Sequence, residues 1–565
     1  MNSETGLLKL NLGEYEEKVK KRLNLWESEG FTRRLWKKDP TLWFSEYQPE
    51  ITDRLGWLDL PERMREKIPE IVSWAGQTRE EGFSHVVLLG MGGSSLSPEF
   101  FQKTFSPAPD FPDLIVLDST HPLAIRTVEQ KLDISRTLFV VSSKSGTTLE
   151  TLSLFRYFWD KVKKKKDTPG RSFIAISDTG SPLIQMARER NFRKTFLPFS
   201  DVGGRFSAFS EFGLVPAALI GLDIRGLLDK GWLAAKNSGI SIPVKQNPGL
   251  ILGAALGELA QFRDKLTLLI SPSLSGFPPW MEQLIAESTG KAGKGIVPVV
   301  EEPLSPMETY SHDRIFVAFL TEEKLDKDLE KCLLALEALG HPTIHINLSE
   351  KLDLGQEIFY WELAVAAAGS VLGIHPFNQP DVQLAKNLAR QAMEKNKNGF
   401  DGGRGVEEAI SIEEERRFVS CLKAWLLSAR PGDYISLQAY LAPSKKMTQY
   451  LKNIRSLFLN HTRLATTVGY GPRFLHSTGQ LHKGGPNTAL VLQIVDEPRE
   501  VLSIPETDYS FASLIQAQAL GDYHALLRRE RRVLRVNVKD AIHGLKRLEI
   551  HIRDVVNANT PHPSL

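Results

Sequence analysis

The stretch HVVLLGMGGSSLSPEF, His85–Phe100, starts as an apolar run and changes character within a few residues. The aliphatic VVLL leads into three glycines and two serines. An unbroken apolar run that stops at a turn reads as a strand buried on both faces. A helix is expected from Ser94 onward. The turn between them suits a dinucleotide site, an anion cradle or a plain tight turn.

The same pattern recurs on either side of that stretch. LIVLD (Leu114–Asp118), TLFVVSSK (Thr137–Lys144) and SFIAISD (Ser172–Asp178) are apolar strands, each followed by sequence of helical period. Strands alternating with helices indicate βαβ units, whose right-handed crossovers place helices on both faces of a parallel sheet. Residues 203–264 read as helical throughout. LTLLISP, GIVPVV, RIFVAFL and PTIHINL then resume the alternation as a second α/β unit, with PGDYISLQAYL and NTALVLQIV as its later strands. Residues 1–60 are helical in pattern and rich in tryptophan, and are expected to pack on the first domain. The division expected is 1–60 as a helical segment, 61–240 as a first α/β domain, and 241–565 as a second with a C-terminal extension.

Composition excludes several classes. A chain of 565 residues exceeds what one core serves, so more than one domain is expected. No apolar run approaches the ~20 residues of a spanning helix. The opening MNSETGLLKLNLGEYEEKVKK lacks the apolar core of a signal peptide. The two cysteines, Cys332 and Cys421, offer no disulfide framework and no cysteine-built zinc site. A cytoplasmic setting without membrane partners is expected. A net charge of +2 argues against nucleic-acid binding. The basic clusters KVKKKKD (Lys161–Asp167) and RRERRVLR (Arg528–Arg535) lack interleaved aromatics and read as solvated helix ends.

In an open parallel sheet, ligands collect beyond the carboxyl ends of the strands, so function is sought there. GMGGSS is faulty as a dinucleotide fingerprint, because Ser95 replaces the third glycine. Its free amides and a serine at a helix start suit an anion. SSKSGTTLET (Ser142–Thr151) crowds six hydroxyls, one ammonium and a glycine onto a strand-to-helix junction. A capped helix, with Thr147 as cap and Glu150 three residues on, accounts for one hydroxyl. The surplus points to phosphate. The residue order is not that of a Walker loop, which favours a monophosphate on a small molecule over a triphosphate.

Four further segments carry chemistry. GGRFSAFS (Gly203–Ser210) sets Arg205 behind two glycines, either as a solvated surface cation or as a partner for a permanent or transient negative charge. In QLIAESTGKAGKG, Gln283 and Glu287 are four apart and share a helix face. Glu287 is either an exposed helix-end glutamate or, with water excluded, a general base. In HPFNQPDVQLAKN, Gln379 and Lys386 are seven apart, the spacing of one helical face. GYGPRFLHSTGQLHKGGPN places His476 and His482 in a glycine-rich turn, where acid–base use of one histidine is better supported than metal binding.

Taken in order, these motifs resemble the phosphoglucose isomerase family, a pair of sugar-isomerase (SIS) domains. The resemblance spans roughly residues 50–500. GMGGSSLSP is similar to the family's GIGGSxLGP loop, which implies that Gly93 and Ser94 lie against a sugar phosphate. SSKSGTTLET is similar to SKTxTTxET, which implies phosphate contacts from Ser143, Lys144, Ser145 and Thr148. GGRFS carries over Gly204 and Arg205, and QLIAESTGK carries over Gln283 with Glu287 as base. FNQPDVQLAK resembles FDQxGVExxK, giving Gln379 and Lys386. The closing motifs resemble the isomerase half of transaldolase–phosphoglucose isomerase fusions, so a free-standing isomerase of that type is expected.

The resemblance implies two three-layer α/β/α domains with parallel sheets and helical N- and C-terminal segments. It implies interconversion of glucose 6-phosphate and fructose 6-phosphate, a step of glycolysis and gluconeogenesis, without cofactor or metal. Lys386 and His476 would open the ring, Glu287 would move the proton, and Arg205 would stabilise the oxyanion. A homodimer is also implied, in which either the same chain or its neighbour supplies the histidine. Three positions depart from the pattern. His476 follows Lys386 where the family's histidine precedes the lysine, Asn378 stands for aspartate, and His375 stands for asparagine; the last two are expected to alter the support of Lys386. The alternative is a phosphosugar-sensing SIS regulator without catalysis, which would need the hydroxyl loop but not Glu287, Arg205 and Lys386.

Overall fold

The computed structural model describes residues 8–321, 327–395 and 409–558. The chain is α/β with parallel sheets, and its described residues form three five-stranded sheets. In chain order the strands begin with β1 (Leu8–Asn11), β2 (His85–Gly90), β3 (Asp113–Leu117), β4 (Thr137–Ser142), β5 (Phe173–Ile176) and β6 (Lys194–Phe196). Then come β7 (Lys265–Ile270), β8 (Val297–Val299), β9 (Arg314–Thr321) and β10 (Thr343–Leu348). The last are β11 (Ile410–Ser411), β12 (Tyr434–Tyr440), β13 (Ala465–Tyr470), β14 (Ala489–Val495) and β15 (Arg532–Asn537).

The first sheet runs β3-β2-β4-β5-β6, all parallel. The second runs β1-β10-β9-β7-β8 and is parallel apart from the antiparallel edge strand β1. The third, β11-β15-β14-β12-β13, is again all parallel. The strands from Tyr434 onward, expected as later members of the second unit, therefore form a sheet of their own. Each of these strands is apolar enough to belong to either sheet, so hydrophobicity alone could not assign them.

One face of β2 (Val86, Leu88) and one face of β7 and β9 (Leu266, Leu268, Ile315, Val317) belong to a continuous core. The helices Glu211–Leu219, Ile224–Lys236 and Pro248–Leu259 contribute to it. The third sheet has a separate core on one face, with Ile435, Leu437, Leu490 and Leu492 against the helix Lys445–Thr462. On its other face, Tyr434, Ala465 and Val491 meet Val297 and Val299 of the second unit.

The N-terminal segment does not pack on the first unit alone. Leu8 and Leu10 alternate inward and pair with Ile346 and Ile344 of the second sheet. In the helix Glu16–Ser28, Val19, Leu23 and Trp26 recur at helical spacing and are buried. Trp36 Nε1 donates to Ser238 O (2.6 Å), just past the helix Ile224–Lys236, and Trp43 Nε1 to Ala366 O (2.8 Å) on the helix Leu354–Leu372 of the second unit. Farther along, the segment meets the turn region of the first unit, where Gly56 N donates to Asp201 O and Trp57 stacks on Phe206.

Among the described residues, no helix is long and apolar enough to cross a membrane. The first basic cluster ends the helix Leu149–Lys163 with surface pairs such as Lys161–Glu129 and Lys164–Asp160. In the second, Arg528 and Arg529 are exposed at the end of the helix Phe511–Arg528, but the arginines that follow are not solvated. Arg531 is buried and donates to the carbonyls of His482, Lys483 and Gly485 at 2.7–2.8 Å, while Arg532 pairs with Asp433. These arginines satisfy the carbonyls of a buried turn, which would otherwise lack donors.

Candidate active site

The site starts where the first sheet reverses its strand order. Gly90 and Ser142 are partners across β2 and β4, so the turns leaving those strands begin side by side. Gly92 adopts φ +57°, and a Cβ there would lie 2.8 Å from His476 O. A Cβ at Gly93 would lie 2.0 Å from Gly204 O. Three loops thus meet at distances that only glycine permits. Ser94 is buried in the first turn of the helix Gly93–Phe105, and neither it nor Gly93 borders the cavity described next.

The turn after β4 keeps its hydroxyls off the helix. Thr148, not Thr147, is the capping residue of the helix Leu149–Lys163, and its hydroxyl makes no capping bond. Instead Ser143 Oγ and Thr148 Oγ1 lie 2.9 Å apart, and Ser145 Oγ and Thr147 Oγ1 3.0 Å apart. Ser145, Thr147 and Thr148 border a cavity of about 140 Å³. The ammonium of Lys144 does not join them. Its Nζ lies 2.8 Å from Asp178 and 3.0 Å from Ser200 O.

Opposite the hydroxyl turn, the helix Val382–Lys395 presents Lys386 and Arg390, one turn apart, to the same cavity. Neither makes an ion pair or hydrogen bond with another described residue. Gln379 precedes this helix, so it does not share a face with Lys386. Its Oε1 accepts from Arg205 Nη1 at 3.0 Å.

Arg205 is 3% exposed and fully engaged. Its Nε donates to Ser288 Oγ (2.8 Å), and its Nη2 donates to Pro376 O (2.5 Å) and Asn378 O (3.2 Å). Its Nη1 lies 3.3 Å from Glu287 Oε1. Burial pulls Arg205 below its ordinary range, and Glu287 opposes that pull. Asn378 and His375, expected to alter the support of Lys386, instead hold the loop that receives Arg205. His375 Nδ1 accepts from Phe377 N, its Nε2 pairs with Pro49 O, and its carbonyl accepts from Lys291 Nζ. Burial lowers His375 to about 4, so it accepts from the Phe377 amide as a neutral ring.

Gln283 and Glu287 share a face of the helix Pro278–Thr289, and Gln283 Nε2 donates to Glu287 Oε2 at 3.0 Å. The same amide donates to His476 O at 2.9 Å. Glu287 is largely buried and does not border the cavity itself.

The two histidines separate cleanly. His476 closes the turn Arg473–His476 after β13, borders the cavity, and sets Nε2 3.0 Å from Glu150 Oε1. It lies in the same chain as the hydroxyl turn. His482 is buried in the helix Gly479–Gly484 against Ser436 and Gln438 of β12, and burial beside Lys483 pushes it down to about 3.

Glu150, read from sequence only as a capping residue, is part of the site. Burial opposes its charge, yet His476 and a backbone amide hold its carboxyl at about 2. Gln518, on the helix Phe511–Arg528, donates from Nε2 to the same Oε1 at 2.7 Å. The capping pattern hid Glu150, and no local motif marks Gln518, which lies far along the chain.

Residues 58–299 match the model of the family described as phosphoglucose isomerase. That span holds the turns after β2 and β4, Arg205, Gln283 and Glu287; Gln379, Lys386 and His476 lie beyond it. A probable glucose-6-phosphate isomerase of Methanococcus maripaludis is 26% identical over 62% of this chain and 86% of its own length. A glucose-6-phosphate isomerase of Mycoplasmopsis pulmonis is 28% identical over 60% and 90%. The solved glucose-6-phosphate isomerase of Chlamydia trachomatis superposes with a TM-score of 0.56 at 19% identity, over 70% of this chain and 94% of that one. A hypothetical protein of Thermus thermophilus gives 0.58 at 24%, over 68% and 99%. These two structures share the fold.

Proposed function

We propose that this chain is an aldose–ketose isomerase that interconverts glucose 6-phosphate and fructose 6-phosphate through a cis-enediolate. The observation that carries the reading is the junction of Gln283: one amide touches both the carboxylate of Glu287 and the loop of His476. The two proton-handling groups are thereby held together beside a hydroxyl-lined cavity.

The phosphate anchors on Ser145, Thr147 and Thr148. Arg390 supplies its counter-charge in place of Lys144. Remote binding energy then orients C1 and C2. Lys386 and His476 move a proton between the ring oxygen and O1, opening the sugar. Glu287 takes the C2 proton and returns it to C1. The fixed charge of Arg205, whose N–H groups are taken up by the protein, favours the oxygen on which negative charge develops. Its bonds to Ser288, Gln379 and two carbonyls leave it little freedom to reorient.

A coupled assay with glucose, mannose and ribose phosphates, run on the parent and on Glu287→Gln, tests the reading. The parent is expected to turn over glucose 6-phosphate. Glu287→Gln should lose about 10³ in kcat, within the range of a positioned base, with sugar-phosphate binding retained. A parent that binds the sugar phosphate without turnover would favour the sensing alternative.

A further inference from the structure

We infer that Gln480 is a positioning residue that sets the helix bearing Lys386 in register with the helix bearing Glu287 and the turn bearing His476. The kinetic consequence rests on the isomerase reading; the consequence for sugar-phosphate binding requires no turnover.

Gln480 lies four residues after His476, in the helix Gly479–Gly484, and is wholly buried. Its carboxamide makes three bonds. Oε1 accepts from Asp381 N at 3.0 Å. Nε2 donates to Asp381 Oδ2 at 2.8 Å and to Gly290 O at 2.9 Å. Asp381 immediately precedes the helix Val382–Lys395, and Gly290 immediately follows the helix Pro278–Thr289. One side chain thus joins the three elements that carry the proton-handling groups. Reversing the carboxamide would set its NH₂ group against the Asp381 amide and its oxygen against two oxygens, so the bonds admit one orientation. A Cβ at Gly484 would lie 2.3 Å from Asp381 Oδ2, 2.6 Å from Gln480 Nε2 and 2.8 Å from Gly290 O, so the junction is closed on that side too.

Little else of a directional kind holds the helix Val382–Lys395. Its two cations face the cavity, and Gln383 donates to Asn387 within the helix. Leu384 and Leu388 pack against Ala525, an apolar contact without directional preference that tolerates small slides and turns. Bonds at the start of the helix remove that freedom. Arg529 takes Asp381 Oδ1, but its side chain is 48% exposed and reaches only the carboxylate. Gln480 takes Oδ2 and the main-chain amide from a buried position, and it ties both to the end of the Glu287 helix. Glu287 keeps its own ties to Gln283 and Arg205, so loss of Gln480 moves Lys386 and Arg390 and leaves the base in place.

The experiment compares the full chain with Gln480→Met, alone and combined with Lys386→Met or Arg390→Met, in steady-state kinetics and in binding of glucose 6-phosphate by calorimetry. A misplacement of ~1 Å can cost ~10²-fold, so Gln480→Met should lower kcat for ring-closed glucose 6-phosphate by at least ~10-fold. An acyclic aldose phosphate, which needs no ring opening, should keep the parent's kcat. Affinity for glucose 6-phosphate should fall through Arg390. Each effect should disappear where its mediator is gone: Gln480→Met should add little to the kcat loss of Lys386→Met, and little to the affinity loss of Arg390→Met. Asp381→Asn should move the same readouts more weakly, and it serves if Gln480→Met melts early. Equal loss of kcat on both substrates, or additive losses in the double variants, would overturn the inference. A parent that binds glucose 6-phosphate without turnover would refute the isomerase reading and leave the affinity measurements to decide the inference.

Discussion

The sequence offered one obvious cation for the phosphate, Lys144, inside the hydroxyl turn itself. Its ammonium is spent on Asp178 and a carbonyl, so it closes the turn onto the end of β5 and is not presented to the cavity. Arg390 and Lys386 are the uncommitted cations that border the cavity, spaced by one helical turn. A turn rises by about 5 Å, comparable with the run of bonds from ring oxygen to phosphorus. Lys386 is the one whose charge acts on Glu150, which on the proposed reading sets it nearer the ring-opening end and Arg390 nearer the phosphate. Arg390→Met is accordingly expected to raise KM about 10-fold, with kcat little changed, as for a charge-assisted contact worth ~1.4 kcal/mol. Lys144→Met should lower the melting temperature with less effect on KM. Steady-state kinetics and a melting curve on both variants separate the two roles. Local spacing could place the Arg390–Lys386 face, but not the partner that takes Lys144, because Asp178 is distant in sequence.

At the scale of elements, the short helix Gly479–Gly484 shows why two histidines in one motif differ. It is sealed under β12, where Ser436 and Gln438 turn inward and Arg531 gathers the carbonyls of the following turn. His482 is held neutral there, with its folded value near 3. The unfolded chain binds that proton below about 6.5, so the group costs stability progressively as pH falls from 6.5 toward 3. In that window His482 alone contributes a slope of about 1.4 kcal/mol per pH unit. His482→Gln should flatten the acid limb of the stability curve, as chemical denaturation between pH 4 and pH 7 would show, and should leave the pH dependence of catalysis alone. A catalytic His482 would give the opposite pattern. Strands β2–β5, β7–β10, β12 and β14, the helix bearing Gln283 and Glu287, and the two turns at the switch point were legible from periodicity and spacing. β1 lies in a stretch of helical pattern and β15 in one that reads as a helix end, whereas β6, β11 and β13 carry no such pattern. The difference between His476 and His482 was not legible either, because it depends on the alternation of β12, which lies some 40 residues earlier in the chain.

In the whole molecule, the third sheet completes a site built on the first two. Arg473 reaches from the loop after β13 to Glu99 on the helix Gly93–Phe105 and to Asp118 at the end of β3. Burial works against Glu99, yet Arg473 holds its carboxyl at about 2, while burial raises Asp118. His121 and Asp496, 3.2 Å apart, form a second tie between the same units. Arg473→Met should cost about 3 kcal/mol, the low end for breaking a buried pair, because Arg473 keeps 23% of its side-chain surface. It should also slow ring-closed sugars by displacing His476, as denaturation and kinetics on the same variant would reveal. The order of motifs, with the histidine after Lys386, signalled a rearranged second half, but a third sheet cannot be read from motif order. The central claim is that Glu287 carries hydrogen between adjacent carbons. The most direct measurement is deuterium uptake at C2 of glucose 6-phosphate recovered from the protein in heavy water. The account predicts label at C2 with the parent, to the extent that the proton on Glu287 exchanges with solvent before it is returned, and a loss of about 10³ in its rate of appearance with Glu287→Gln; equal labelling by the variant would contradict it.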